Sequence, residues 1–245
     1  MKRIILKKAI LVIAILMSMA CTAVAQEIVV PEEITGEARE YYKAAVMGDV
    51  DAQLVMGYCY KEGDGAPKIP SQSLFWYGKA AEQGSAIALY NIAVFYDEGI
   101  GVPKNERKAA HFYELAASKG DPYGQVSAGV CYLNGDGVQQ DYKKAVKWFK
   151  KAAEQGYAPA QFWMGTCYDQ GLGLSTDHKK AVEWYRKAAE QGDAQAQYNL
   201  GISYLEGEGV KKDENEGVSW LKKAAVQGDL DARITLKEMG VNWEE

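Results

Sequence analysis

Apolar, small and polar positions along the chain recur with one dominant period of 36 residues, so internal repetition is settled before any single segment is assigned. Five units follow one another without insertion, at 49–84, 85–120, 121–156, 157–192 and 193–228. Within each unit, numbered 1 to 36, two stretches carry helical periodicity. In the first, positions 4, 8, 11 and 12 fall within about 80° of one another at roughly 100° per residue. They form one apolar stripe, which in the fourth unit is Ala160, Met164, Cys167 and Tyr168. In the second, Ala181, Trp184, Tyr185, Ala188 and Ala189 have the i, i+3, i+4, i+7, i+8 spacing of a helix with one buried side. Each unit is therefore predicted to be two amphipathic helices, neither able to bury its stripe alone.

The same residue types return at the same unit positions. Position 12 is Tyr60, Tyr96, Tyr132, Tyr168 and Tyr204; positions 15 and 17 are always Gly, from Gly63 and Gly65 to Gly207 and Gly209. Position 28 is Trp76, Phe112, Trp148, Trp184 and Trp220, positions 32 and 33 are Ala-Ala, and position 36 is Gly. Asp141, Asp177 and Asp213 stand where second helices begin, as N-caps. Gly156, Gly192 and Gly228 stand just past their ends, where a left-handed cap needs glycine. Gly165 and its equivalents remove a side chain where the two helices of a unit must approach, and the Ala-Ala pair does the same against the next unit. A partial match at 37–48 reads as a lone second helix capping the array, and another at 229–239 as a lone first helix, so that 229–245 is a capping helix and tail.

These motifs resemble the Sel1-like branch of the tetratricopeptide-type repeats: a small residue plus Gly in the first helix, a G-x-G turn, and A-x-x-W-[YF]-x-x-A-A-x-x-G in the second. The resemblance covers about 37–239. It implies an all-α fold, a right-handed superhelical solenoid stabilised by contacts between neighbouring units. Departures are local: Ala93 for the first-helix Gly, Phe112 for Trp, Ser73 and Gly217 for the Ala opening the second-helix core, and Ala66-Pro67-Lys68-Ile69-Pro70 in the first turn.

Ahead of the array stands a segment of another kind. Lys2, Arg3, Lys7 and Lys8 precede an apolar run at 9–20 and the small-x-small site Ala23-Val24-Ala25. About twelve apolar residues are too few to span a bilayer, which takes roughly 20. Residues 1–25 are therefore expected to be a secretory signal cleaved before Gln26, with 26–36 a short linker. A lipid-modified start at Cys21 is the alternative, although Ser18 departs from the usual leucine. The expected location is the periplasm or outside the cell, with no integral membrane span left after cleavage.

The chain has 28 Lys+Arg against 33 Asp+Glu. Losing residues 1–25 removes four basic and no acidic residues, leaving 24 against 33 and a net charge of −9. That sign argues against nucleic acid or an anionic membrane surface as the main partner. Cys59, Cys131 and Cys167 all fall at position 11 on the buried stripe. Equivalent helices of adjacent units lie on the order of 8–10 Å apart, against the roughly 5.5 Å Cα separation of a disulfide. Free core thiols are expected. Cysteine-rich secreted members of the resembled family staple the two helices of one unit, and these units hold no second cysteine for that.

Candidate chemistry is thin. Each G-x-G follows a helix and lacks the third glycine of a dinucleotide fingerprint. Ser219-Trp220-Leu221-Lys222 spells S-x-x-K without its partner motifs. His111 and Glu114 make one helical pair, short of the three or four ligands a metal needs. His178 reads as a solvated turn residue, Asn134-Gly135-Asp136 lacks the remaining ligands of a calcium loop, and the Lys150-Lys151 and Lys222-Lys223 steps read as solvated helix faces. No catalytic residue, metal site or cofactor is expected.

One face is anomalous. Positions 3, 6, 10 and 13 of the first helix lie opposite the buried stripe and should be polar if they simply met water. Position 6 is instead Leu54, Tyr90, Val126, Phe162 and Tyr198, and position 10 is Tyr58, Val94, Val130, Thr166 and Ile202. In the resembled family this face lines the concave side of the superhelix. The row is either a binding surface or consensus packing. Taken as a surface, it implies a non-enzymatic scaffold for a protein or peptide segment, apolar or aromatic in character. Lys61 is the only basic residue in the row, so it does not resemble a clamp for acidic tails. An envelope enzyme or binder acting on peptidoglycan or β-lactam ligands, and a self-assembling envelope protein, are the rival functions. The sequence leaves the oligomeric state open.

Overall fold

The structure, a computed structural model, describes residues 28–243. The expected signal segment 1–25, its cleavage site and the lipidation alternative at Cys21 lie outside the described residues. Twelve α-helices and no strands are found among those described. Before the first complete pair stands α1 (Ala38–Val46). The pairs are α2 (Val50–Glu62) with α3 (Pro70–Glu82), α4 (Ala86–Glu98) with α5 (Glu106–Ser118), and α6 (Pro122–Asn134) with α7 (Tyr142–Glu154). Then come α8 (Ala158–Gln170) with α9 (His178–Glu190), α10 (Ala194–Glu206) with α11 (Glu214–Val226), and a closing α12 (Leu230–Glu238). The fold is all-α, a solenoid in which each helix packs on its neighbours in sequence.

Local chemistry sets the helix ends. Asp141, Asp177 and Asp213 each accept the backbone N–H three residues on, and Asp49, Ser85, Asp121, Asp193 and Asp229 do the same for first helices. Second helices end in Lys119 or a glutamine, followed by a glycine at positive φ, as at Gly192 (φ 96°). Ile69 offers no side-chain cap in the unusual first turn, where Pro70 supplies the helical φ instead.

The core is centred on position 29. Tyr77, Tyr113, Phe149, Tyr185 and Leu221 are all buried. Tyr185 is only 2% exposed and lies over Gly165, where an added Cβ would come within 2.5 Å of the ring. The glycine is thus required by close approach of the two helices. The position-28 rings are less uniform than the sequence reading implies. Trp76 and Trp220 are buried, whereas Phe112, Trp148 and Trp184 are half-buried. Position 29 aims at the partner helix of its own unit, while position 28 is turned about 100° away and meets solvent at its outer edge. Over Trp148 and Trp184 a lysine three residues on covers the ring, with Lys151 Nζ 4.4 Å and Lys187 Nζ 4.1 Å from the respective centroids. Tyr168 is likewise half-buried on the first-helix stripe.

A device that sequence reasoning missed ties successive units together. Gln197 at position 5 is buried; its amide donates to the Ala189 carbonyl of the preceding unit (3.1 Å), and its oxygen accepts from Gln227 at position 35 (2.8 Å). Gln53 with Gln83, and Gln125 with Gln155, repeat the arrangement. In the second unit these positions are Leu89 and Lys119, so this staple is absent there.

Candidate functional site

First helices form the inner side of the array. Consecutive first helices touch each other, α4 on α6 and α6 on α8, to a degree that no pair of second helices matches. A curved stack brings its elements closest on the inside, so the face opposite the buried stripe of α2, α4, α6, α8 and α10 lines the inner surface.

On that surface the structure places the anticipated residues unevenly. At position 6, Leu54, Tyr90, Val126, Phe162 and Tyr198 are all half-buried and packed on the core clusters. Tyr90 lies 5.7 Å from the Tyr113 ring and Phe162 6.1 Å from Tyr185, each resting on the position-29 side chain of its own unit. Position 6 is thus the border of the core, not a free row. At position 10, Val94, Val130 and Ile202 are half-buried, and Tyr58 is 52% exposed. Thr166 is 8% exposed; its hydroxyl donates to the Phe162 carbonyl (3.2 Å) and lies 3.5 Å from the Tyr185 hydroxyl. It is an internal residue and leaves the candidate surface.

Position 3 supplies what the sequence reading left out. Ile87 is 54% and Tyr123 52% exposed. Seven residues separate positions 3 and 10, about 20° around the helix, so the angular pattern already placed them together. Tyr123 joins a run of rings, 5.7 Å from Tyr90 and 5.0 Å from Tyr157. Burial holds the phenols in their neutral form: Tyr90 is pushed upward and Tyr157 to about 12. At the other end of the face a hollow of about 290 Å³ is lined by Leu54, Val55, Tyr58, Tyr77, Ile87 and Asn91. Charge here is spent locally. Lys61 pairs with Glu62 (3.1 Å), the Tyr113 hydroxyl donates to Asp97 (3.2 Å), and Asp169 holds His178. The surface therefore offers apolar contact and neutral ring edges rather than a field of either sign.

The other candidates resolve plainly. Cys59, Cys131 and Cys167 are free and buried, and burial pushes the thiols of Cys131 and Cys167 up to about 12, which keeps them protonated. Ser219 is exposed and Lys222 half-buried on α11, and Asn134 donates to Asp136 (3.0 Å). Among the described residues no group of three His, Cys, Asp or Glu could hold a metal ion. His178 is not the free turn residue expected. It opens α9, with Nδ1 2.9 Å from Asp169 of α8 and Nε2 3.1 Å from Glu208 in the next unit's turn.

The Sel1 repeat profile matches residues 50–85, 86–121, 122–157, 158–193 and 194–229. Among solved structures, a protective antigen of uropathogenic Escherichia coli strains with an SLR fold is 38% identical (TM-score 0.77), over 83% of this chain and 44% of that one. The chain thus spans less than half of that relative. A Sel1 repeat protein from Oxalobacter formigenes is 34% identical (TM-score 0.74), over 80% of this chain and 81% of that one. An immunity protein, Pa5087 of Pseudomonas aeruginosa, shares the fold at 22% identity (TM-score 0.53), over 87% and 81% of the two chains. No curated protein matches. No helix among the described residues is long and apolar enough to cross a membrane.

Proposed function

The chain belongs to the Sel1 repeat family, and from that premise we propose that it is an exported scaffold that acts by binding, taking an apolar or aromatic segment of a partner protein along its inner face. The observation that carries this reading is the set of large apolar side chains left half-exposed there: Tyr58, Ile87 and Tyr123. They stand on α2, α4 and α6, three consecutive first helices, so they mark one line across the array. An extended or helical peptide laid across that line would bury its own apolar side chains against them and in the hollow beside Tyr58. Neutral phenols with raised pKa values would act as hydrogen-bond donors to its backbone carbonyls. Export rests on the basic, apolar and small-residue zones of residues 1–25.

Site-specific photo-crosslinking tests the reading. A photoreactive phenylalanine analogue at Tyr58 or Tyr123 should capture the same protein adduct in cells, while the analogue at exposed Glu183 on α9 should not. Equal capture from both faces, or none from the inner one, would refute the inner face as the binding surface. Fractionation of the same cells should place the adduct in the periplasm or the medium.

A further inference from the structure

On the opposite side of the array, the second helices differ sharply in charge. α3, α5 and α11 each carry equal numbers of acidic and basic side chains. α7 carries Lys143, Lys144, Lys147, Lys150 and Lys151 against Glu154 alone, in a chain whose net charge is −5. This density is unfavourable for the helix itself. Lys147 has like charges at i−4, i−3, i+3 and i+4, and like-charge pairs at these spacings destabilise a helix. Lys143 and Lys144 also sit in the first turn, at the positive end of the helix dipole. Lys150 lies 3.8 Å from Glu154, and among the described residues Lys143 and Lys147 have no ion-pair partner within 4.0 Å.

The lysines frame a hollow of about 530 Å³ beside Trp148 and Tyr132. Lys151 Nζ stands 4.4 Å from the Trp148 centroid and Lys144 Nζ 4.8 Å from that of Tyr132. Lys147 and Lys150 complete the lining, together with Glu114, which accepts from the Tyr132 hydroxyl, and Glu154. We propose that this hollow is a second binding site, for an acidic segment of a protein partner that carries an aromatic or aliphatic side chain among its carboxylates. The apolar side chain occupies the hollow against Trp148, and the flanking carboxylates neutralise Lys147 and Lys150. A phosphodiester strand or an anionic lipid surface fits less well. The excess of basic residues is confined to the adjacent helices α7 and α9, with α3, α5 and α11 balanced, whereas such polymers and surfaces reward an extended basic track. The site lies on the second-helix side of the array, with Tyr132 of α6 reaching into it, and is independent of the inner-face proposal.

Fluorescence anisotropy on the whole purified chain tests it, with a labelled peptide of four Glu-Glu-Phe repeats as the probe. The expected result is saturable binding that weakens as salt rises. Binding should fall by about tenfold or more in Lys147→Glu/Lys150→Glu, and change less than about twofold in Lys222→Glu on α11. Removing the repulsion should leave the melting temperature of the double variant equal or higher, which separates lost binding from lost folding. A polyglutamate peptide of the same length should bind at least about fivefold more weakly, for want of a ring to fill the hollow. The proposal fails if the Glu-Glu-Phe peptide does not bind or binds both variants alike. It fails equally if polyglutamate binds as well, or if an oligothymidine or phosphatidylglycerol vesicles compete more tightly than the peptide.

Discussion

At the scale of single residues, neighbouring positions with similar chemistry have opposite consequences, and packing decides which. Gly165 and Gly78 are both helical glycines, yet a Cβ at Gly165 meets the Tyr185 ring at 2.5 Å whereas one at Gly78 meets nothing within 4 Å. Gly165→Ala is therefore expected to destabilise by roughly 1–3 kcal/mol through overpacking. Gly78→Ala should stabilise by about 0.5–1 kcal/mol, because it lowers backbone entropy in the unfolded chain. Urea denaturation of the two variants checks both signs. The aromatic pair in α9 behaves similarly: Tyr185→Ala opens a cavity and should cost about 3–5 kcal/mol. Trp184→Ala removes a half-exposed ring under Lys187 and should cost no more than about half as much. Equal losses would mean that the outer ring belongs to the core after all.

At the scale of the helices, what matters is how one unit is held to the next. Gln197→Leu leaves the Ala189 carbonyl without its side-chain donor and Gln227 without its acceptor, and should cost roughly 1–3 kcal/mol. The second unit manages with Leu89 and Lys119 at these positions. Combining Gln197→Leu with Gln227→Lys should therefore lose less than the sum of the single changes, a coupling that a double-mutant cycle measures. His178 makes a second connection between units, and its pKa is raised, first by the hydrogen bond to Asp169 and then by the charges of Glu208, Asp169 and Asp177. The folded state favours imidazolium, so the stabilisation is complete below the unfolded value of 6.5 and is lost as pH rises through the higher folded value. With the ring half-exposed the effect is modest. Thermal melts from about pH 6 to about pH 8 should show a larger decline for the native chain than for His178→Gln. Parallel declines would show that the two carboxylates do not hold the ring in solution.

For the whole molecule, the decisive property is that each unit touches only its neighbours, so stability is close to a sum of local and interface contributions. Phe149 is fully buried in the third of five units. Phe149→Ala should therefore separate the unfolding of the two ends and turn one sharp urea transition into a broad or biphasic one. Leu221→Ala, next to the last helix, should instead fray that end and leave the main transition sharp. Circular dichroism beside tryptophan fluorescence distinguishes these, since the six tryptophans are distributed along the array. A single sharp transition in both variants would mean that coupling between units exceeds the stability of any one of them.

The repeat, the two helices of each unit, their caps and their glycine stops were legible in the chain. They depend on local chemistry, such as Asp177 accepting from Lys180 N–H or Gly192 at positive φ, that a 36-residue pattern displays five times over. Burial of Cys59, Cys131 and Cys167 followed from the same stripe. The helical period also pointed to an inner face, but it did not say which residues on that face stay uncovered. Phe162 and Thr166 lie on the polar side by angle, yet Tyr185 reaches across from the other helix and meets both, whereas Tyr77 beside Tyr58 and Ile87, and Tyr90 beside Tyr123, leave those side chains open. The glutamine staples, the carboxylates on His178 and the hollow beside Trp148 arise between units or between different helices of one unit. A helix's own periodicity records which side turns away from water; only the stacked neighbours decide how far each side chain on the border is covered and which polar group it meets.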